Sequence, residues 1–158
     1  MDFLKQLHDL CIAKDISISV AESCTSGLIA SKITSISGSS AYFKGGIIAY
    51  QNEIKVNVLG VSQRLIDEKT EVSSEVVEQM ALNIQSEFNS DFSIAISGYA
   101  GPLGGIEKNP VGTVFIAVAN NRKAISIKFR FQGGREEIVN QATTAGFKFL
   151  VSEIKKYK

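Results

Sequence analysis

The sequence predicts a single α/β domain of three layers, in which helices cover both faces of a mixed, partly antiparallel sheet. Its 158 residues suit one domain, and no linker, repeat or low-complexity tract divides the range 1–158. Short apolar runs typical of strands alternate with segments of helical spacing. Near the end of the chain, the turn NNRK and the alternating segment AISIKFRF indicate an antiparallel hairpin. Together these observations require helices on both faces of one sheet.

The first half of the chain is predicted to pass from helix to strand twice. Residues 2–14 carry apolar side chains at helical spacing, and ISISV at 16–20 alternates apolar residues with serine as a strand does. LIASKI returns to helical spacing, and the loop TSISGSS separates it from a second strand at 47–50. Asn52 is the predicted N-cap of a short helix that ends at Val58.

The second half is predicted to hold two more helices before its strands and one after them. A short helix begins near Ser62, and Ser73 is the N-cap of the most strongly periodic helix of the chain. FSIAI at 92–96 is a buried strand, and 111–119 is a longer one that leads into the hairpin. A final helix is predicted over 135–155.

Composition excludes several classes of function. The formal net charge is +1, and the only Lys or Arg run is Lys155-Lys156, so no basic stripe for nucleic acid is expected. The N-terminus resembles neither a signal peptide nor a transit peptide, and no apolar run approaches the roughly 20 residues that span a bilayer. We therefore expect a cytoplasmic protein without nucleic-acid or membrane partners.

The cysteines and the single histidine make a poor metal inventory. Cys11, Cys24 and His8 show no metal-ligand spacing, so no metal site is predicted. Cys11 is interpreted as an apolar position of the first helix, and His8 as a residue on its surface. A nucleophilic pair of Cys24 and His8 stays open as an alternative.

Three polar loops each follow a strand or precede a helix. They are Glu22–Gly27, Ser37–Ser40 together with Tyr50–Lys55, and Ser97–Gly105. Ligands of open α/β sheets collect beyond the strand ends, although helix caps and turns are the simpler explanation of each loop when it is taken alone. The glycine loop matches neither a Walker motif nor a dinucleotide fingerprint, which leaves a phosphate nest open.

The stretch GSSAYFKGGIIAYQNEIK contains the parts of a serine hydrolase that lacks histidine. Ser40, Tyr50 and Lys55 supply a hydroxyl, a phenol and an amine. With Asn52 as the cap, Lys55 is the third helical residue, where the helix dipole opposes its charge by about 0.3–1 kcal/mol. With burial as well, a neutral lysine becomes a general base for serine. An ordinary surface lysine is the alternative.

Arg135 follows a Gly-Gly pair at a strand-to-helix junction. Its guanidinium suits a carboxylate or phosphate of a ligand. A salt bridge to Glu22 or another acid is the alternative.

Taken together, AESCTSG, GSSAYFKGGIIAYQNEIKVNVLGV, VSSEVVEQMA and ISGYAGPLGG…NPVGTV resemble the C-terminal domain family of the competence/damage-inducible protein CinA. That resemblance covers about residues 5–154. It implies a nicotinamide-nucleotide amidase, which hydrolyses the carboxamide of nicotinamide mononucleotide to nicotinic acid mononucleotide and ammonia, without a metal or organic cofactor. Some relatives carry a further N-terminal domain similar to molybdopterin-binding proteins, which we do not expect here. Relatives self-associate, so a homodimer is expected.

Carried over by position, the resemblance implies a Ser-Lys dyad. Ser40 is the expected nucleophile, Lys55 the expected base, and Tyr50 the residue that assists or orients them. Ser97, at the start of the glycine loop, and Arg135 are expected to contact the substrate.

The loop AESCTSG is expected to bind polar parts of the nucleotide through Thr25, Ser26 and Gly27. The family usually has AESCTGG, so Ser26 is a departure whose Cβ is expected to narrow the pocket or to oppose a positive φ. A non-catalytic nucleotide-binding or interaction domain, linked to competence or DNA damage, is the alternative to an amidase.

Overall fold

The structure is a computed structural model that describes residues 2–157, and it confirms the three-layer α/β/α fold class. A single five-stranded sheet has the order β2-β1-β3-β4-β5. Its strands are β1 (Ile18–Glu22), β2 (Phe43–Ile48), β3 (Phe92–Gly98), β4 (Thr113–Asn120) and β5 (Ala124–Arg130). The helices are α1 (Phe3–Lys14), α2 (Leu28–Thr34), α3 (Asn52–Asn57), α4 (Gln63–Lys69), α5 (Ser74–Phe88) and α6 (Arg135–Lys156), with a 3₁₀ turn at Ser39–Ala41.

Two cores form because side chains of successive strand residues point to opposite faces of the sheet. In β3, Ile94 and Ile96 pack beneath α1, α2 and α6, while Ala95 between them faces α5. Large branched residues therefore fill one core, and small strand residues on the other face leave room for α5 to lie close to the sheet.

The strand boundaries differ from the sequence prediction at β1 and β2. Strand β1 begins two residues later than predicted, at Ile18, and β2 begins four residues earlier, at Phe43. FKGG has no alternation of apolar residues that would predict a strand, so the sequence analysis placed the start of β2 too late. Gly46 is nevertheless required in this strand. A Cβ on Gly46 would overlap the side chain and the carbonyl group of Val20 in β1. The two strands thus approach more closely than side chains allow.

The predicted N-cap is confirmed at α5 and wrong at α3, and Ser62, where a helix was predicted to begin, is the N-cap of α4. Ser62 and Ser73 accept hydrogen bonds from Leu65 N at 3.2 Å and Val76 N at 3.3 Å. The N-cap of α3 is Gln51 rather than Asn52. Lys55 is consequently the fourth helical residue and not the third, which weakens the dipole argument for its pKa.

The strand directions create one edge at which a site can form. Strands β1, β2 and β3 are parallel, so they end at the same edge of the sheet, and antiparallel β4 begins there while β5 ends there. We call this the C-terminal edge. The 3₁₀ turn that precedes β2 lies at the opposite edge. Such parallel strand ends are where ligands of α/β sheets bind.

No helix within residues 2–157 is both long enough and apolar enough to cross a membrane.

The close approach at Gly46 gives a test of the register between β1 and β2. Gly46→Ala is expected to lower the free energy of unfolding by about 1–3 kcal/mol, because its methyl group has no space beside Val20. Gly134→Ala is the matched control, since the nearest atom to its Cβ is 3.6 Å away. Urea denaturation of both variants makes the comparison, and equal stability would show that the two strands separate easily.

Candidate active site

An open cleft of about 190 Å³ lies at the C-terminal edge of the sheet. Loops after β1, β2 and β3, the segment between α4 and α5, and the start of α6 form its walls. The residues with polar side chains in these walls include Ser23, Tyr50, Lys55, Glu71, Ser97, Tyr99 and Arg135. The topology therefore gathers residues that are more than a hundred positions apart in the chain.

Lys55 is the buried amine of this cleft. Only 1% of the residue is exposed, and it is among the largest fully buried side chains. Its Nζ donates to Ser23 Oγ at 2.9 Å and to the Tyr50 carbonyl oxygen at 3.0 Å. Among the described residues it forms no salt bridge. A lysine without a carboxylate partner is held here by one hydroxyl and one carbonyl group.

Burial lowers the pKa of the Lys55 ammonium below its usual value. The negative charge of Glu71 partly offsets this shift, because a nearby carboxylate favours the protonated amine. The alternative of an ordinary surface lysine is wrong. A neutral fraction of Lys55 is available to accept a proton from the hydroxyl beside it.

Ser23 is the hydroxyl that the structure places against this amine. It directly follows β1, and its backbone N–H donates to the Ile96 carbonyl oxygen of β3 at 3.0 Å, which continues the strand pairing by one residue. The residue is buried, with 7% exposed, and it lines the cleft. Ser23 is thus fixed at a strand end and points its oxygen at Lys55.

The predicted contact between Ser40 and Lys55 is wrong. Ser40 lies in the 3₁₀ turn before β2, whereas Tyr50 and Lys55 follow β2. The six residues of β2 separate the two ends by roughly 20 Å at about 3.3 Å per residue. Ser40 is exposed at the opposite edge of the sheet. The stretch Gly38–Lys55 therefore crosses the whole sheet and does not form one site.

Tyr50 and Arg135 form a second polar group in the cleft. Arg135 Nη2 donates to the Tyr50 hydroxyl at 2.8 Å, and Nη1 donates to the Gly101 carbonyl oxygen at 2.7 Å. The Tyr50 carbonyl group, not its phenol, contacts Lys55. Tyr50 was expected to assist or orient the dyad, and in the structure its contact with Lys55 is made by its main chain alone.

The salt bridge between Arg135 and Glu22, left open by the sequence, does not form. The Glu22 carboxylate is buried and accepts from Thr25 Oγ1 at 2.6 Å and from Ile29 N and Ala30 N at 3.0 Å each. These bonds satisfy free N–H groups in the first turn of α2. Glu22 is therefore an anchor for α2.

Thr25, Ser26 and Gly27 do not line the cleft described above. Thr25 is 1% exposed and its hydroxyl is used by Glu22, so it is not free for a ligand. Ser26 is exposed and adopts a positive φ of 44°, which shows that its Cβ does not forbid this conformation. The expectation that these three residues bind the nucleotide is not supported by their positions, and Ser26 does not narrow the cleft.

Ser97 and Cys24 also lie in the wall of the cleft. The Ser97 hydroxyl donates to the Glu71 carbonyl oxygen at 2.9 Å and so joins β3 to the segment before α5. Burial raises the pKa of the Cys24 thiol to about 12, which opposes a thiolate nucleophile. His8 Nδ1 instead lies 3.0 Å from the Tyr42 hydroxyl, so the Cys24–His8 pair does not form.

Sequence reasoning missed three residues of the site, Ser23, Glu71 and Tyr99. Ser23 lies within AESCTSG, directly after a predicted strand, and that position was a usable signal. Glu71 stands two residues before the N-cap Ser73 in a segment without any motif. Only the three-dimensional path from α4 to α5 shows that it reaches the cleft.

The family model of the CinA C-terminal domain matches residues 2–154. The chain belongs to the CinA C-terminal domain family. A CinA-like protein of Flavobacterium psychrophilum is 47% identical over 150 residues, which cover 95% of this chain and 36% of that protein. A CinA-like protein of Fervidobacterium nodosum is 44% identical over 92% of this chain and 37% of its own length. The chain thus spans little more than a third of these CinA-like relatives.

Crystal structures of CinA superfamily proteins have the same fold. The competence damage-inducible protein A (ComA) of Klebsiella pneumoniae superposes with a TM-score of 0.95 at 28% identity, covering 99% of this chain and 97% of that one. The competence/damage inducible protein CihA of Agrobacterium tumefaciens gives a TM-score of 0.89 at 31% identity, with 96% of each chain covered. The fold is therefore that of the CinA family throughout.

The burial of Lys55 predicts a stability cost that depends on pH. Between the lowered pKa of the folded chain and the usual value of the unfolded chain, the unfolded chain binds more protons, so stability rises with pH. Lys55→Met is expected to raise the free energy of unfolding near neutral pH, with a gain that shrinks towards about pH 10. Urea denaturation across this range, with exposed Lys69→Met as the control, measures the gain. A gain that is the same at every pH would contradict it.

Proposed function

We propose that this chain is a nicotinamide-nucleotide amidase that uses Ser23 and Lys55 as its catalytic dyad. The contact of 2.9 Å between Lys55 Nζ and Ser23 Oγ carries the proposal. An amine of lowered pKa against a serine hydroxyl, in a cleft at parallel strand ends, supports nucleophilic acyl transfer. The family resemblance supplies the substrate, nicotinamide mononucleotide, and with it a role in pyridine nucleotide salvage.

In the first step, neutral Lys55 accepts the Ser23 proton while Oγ attacks the carboxamide carbon. Lys55 then returns that proton to the amide nitrogen, the C–N bond breaks, and ammonia leaves an acyl-enzyme ester. In the second step, Lys55 accepts a proton from water, whose hydroxide attacks the ester. Ser23 regains its proton, and nicotinic acid mononucleotide is released.

The tetrahedral intermediate requires hydrogen-bond donors for its oxyanion. The backbone N–H groups of Ala100 and Gly101 are suitable, since both residues line the cleft and neither group donates to a backbone acceptor within residues 2–157. Such fixed donors are typically worth a hundredfold or more in rate. Under this proposal, the irregular glycine loop supplies hydrogen-bond donors to the oxyanion.

Arg135 supplies the positive charge for the nucleotide. Two of its guanidinium nitrogens are bonded to Tyr50 and Gly101, which fixes the plane of the group at the cleft wall. A fixed guanidinium suits the phosphate of the substrate. Ser97 positions the wall through the Glu71 carbonyl group.

A non-catalytic nucleotide-binding or interaction domain is the second candidate. The names of relatives refer to competence and damage, and a binding domain would keep the cleft. Such a domain has no need for a lysine that is 1% exposed and lacks a charged partner, because burying it costs stability. This observation favours an enzyme.

Single substitutions distinguish Ser23 from Ser40 as the nucleophile. Ser23→Ala is expected to lower ammonia release from nicotinamide mononucleotide by more than about a thousandfold, because no other hydroxyl within residues 2–157 bonds to Lys55. Ser40→Ala is the matched control and is expected to stay close to the unchanged chain. Circular dichroism confirms that both variants fold. Loss of turnover in Ser40→Ala with retention in Ser23→Ala would reject the proposed dyad.

The lowered pKa of Lys55 predicts the pH profile of the amidase. The value of kcat/KM is expected to rise as pH passes through this pKa, because only the neutral amine accepts the serine proton. Glu71→Gln removes a charge that stabilises the protonated amine, so the acidic limb is expected to move to lower pH. Glu107→Gln, an exposed change of equal charge, is the control. If the acidic limb of the pH profile does not move in Glu71→Gln, a group other than Lys55 controls that limb.

A further inference from the structure

Glu71 is the carboxylate of the cleft that the proposed chemistry does not use. It lies between α4 and α5 and lines the cleft together with Ser23 and Lys55. Its carbonyl oxygen accepts from Ser97 Oγ at 2.9 Å, which holds this segment against the end of β3. The carboxylate forms no salt bridge within residues 2–157 and is half-buried. A negative charge is therefore close enough to Lys55 to affect its pKa, without an ion pair to any cation among the described residues.

Tyr99 adds an aromatic ring to the same wall. Its backbone N–H donates to the Thr113 carbonyl oxygen at 2.9 Å, and its own carbonyl oxygen accepts from Gly112 N at 2.8 Å. Both bonds fix the backbone of Tyr99 directly after the end of β3. Burial and the charge of Glu71 raise the pKa of the Tyr99 phenol, so the ring stays neutral and lies within electrostatic reach of that carboxylate.

The positive and negative side chains of the cleft thus act on different groups. Arg135 is a permanent cation tied to Tyr50 and Gly101, whereas Glu71 affects Lys55 and Tyr99. A carboxylate close to a catalytic base disfavours an anionic reacting group and favours a cationic one. An aromatic ring favours a cation as well.

We propose that Glu71 and Tyr99 bind the positively charged ring of an N-substituted pyridinium carboxamide and thereby select it over a neutral pyridine carboxamide. This inference rests on the proposed amidase function, since it names the part of the substrate that must lie beside Ser23. In nicotinamide mononucleotide the carboxamide is attached to a pyridinium ring, so binding of that ring at Glu71 brings the carboxamide to the dyad. Free nicotinamide lacks the charge.

The test compares two ligands that differ mainly in ring charge, 1-methylnicotinamide and nicotinamide. Their dissociation constants are measured by calorimetry on the full chain carrying Ser23→Ala, which prevents turnover. The cationic compound is expected to bind about tenfold more tightly. Adding Glu71→Gln is expected to remove most of this preference, and adding Tyr99→Leu part of it. Glu107→Gln, with the same change of net charge outside the cleft, is expected to leave it intact.

The inference is overturned if the ratio of the two constants is unchanged by Glu71→Gln, if nicotinamide binds as tightly as the cation, or if neither compound binds. Ammonia release from nicotinamide mononucleotide by the unchanged chain separates this failure from that of the amidase. Turnover with an unaltered ratio rejects only the role of Glu71 and Tyr99. A charge preference that depends on Glu71, without turnover, rejects the amidase and keeps the cation site.

Discussion

A desolvated amine without a counter-ion is the constraint on which the cleft depends. Lys55 is buried at the C-terminal edge and is held by one hydroxyl and one carbonyl oxygen. Such a group destabilises the chain when it is protonated, so the surrounding fold must supply the missing free energy. The two hydrophobic cores on either face of the sheet contribute this free energy through the apolar surface that they bury.

The order of the strands in the sheet determines which residues lie near this amine. Parallel strands β1, β2 and β3 bring Ser23, Tyr50 and Ser97 to one edge, and the antiparallel hairpin returns the chain there so that α6 begins with Arg135. The cleft therefore has walls from five separate segments. Its polar side chains follow neighbouring strand ends, which is where ligands bind in other open α/β sheets.

The sequence was sufficient for the fold class and for most elements, because the helical stripes of α5 and α6 and the apolar strands β3 and β4 follow the periods of their structures. It failed where packing, not periodicity, decides. Lys44, Gly45 and Gly46 hid most of β2, which concealed the fact that Ser40 and Lys55 lie at opposite ends of one strand. Lys55 and Arg135 were found, but the partner of Lys55 depends on a contact between residues 32 positions apart.

The three hydrogen bonds accepted by Glu22 have a consequence for the neighbouring residue, Ser23. A carboxylate close to a buried lysine would ordinarily form an ion pair with it. Because Thr25 and the first turn of α2 occupy its oxygens, Glu22 forms no ion pair with Lys55. The hydroxyl of Thr25 thus helps to leave Lys55 without a carboxylate partner, although it does not contact the amine.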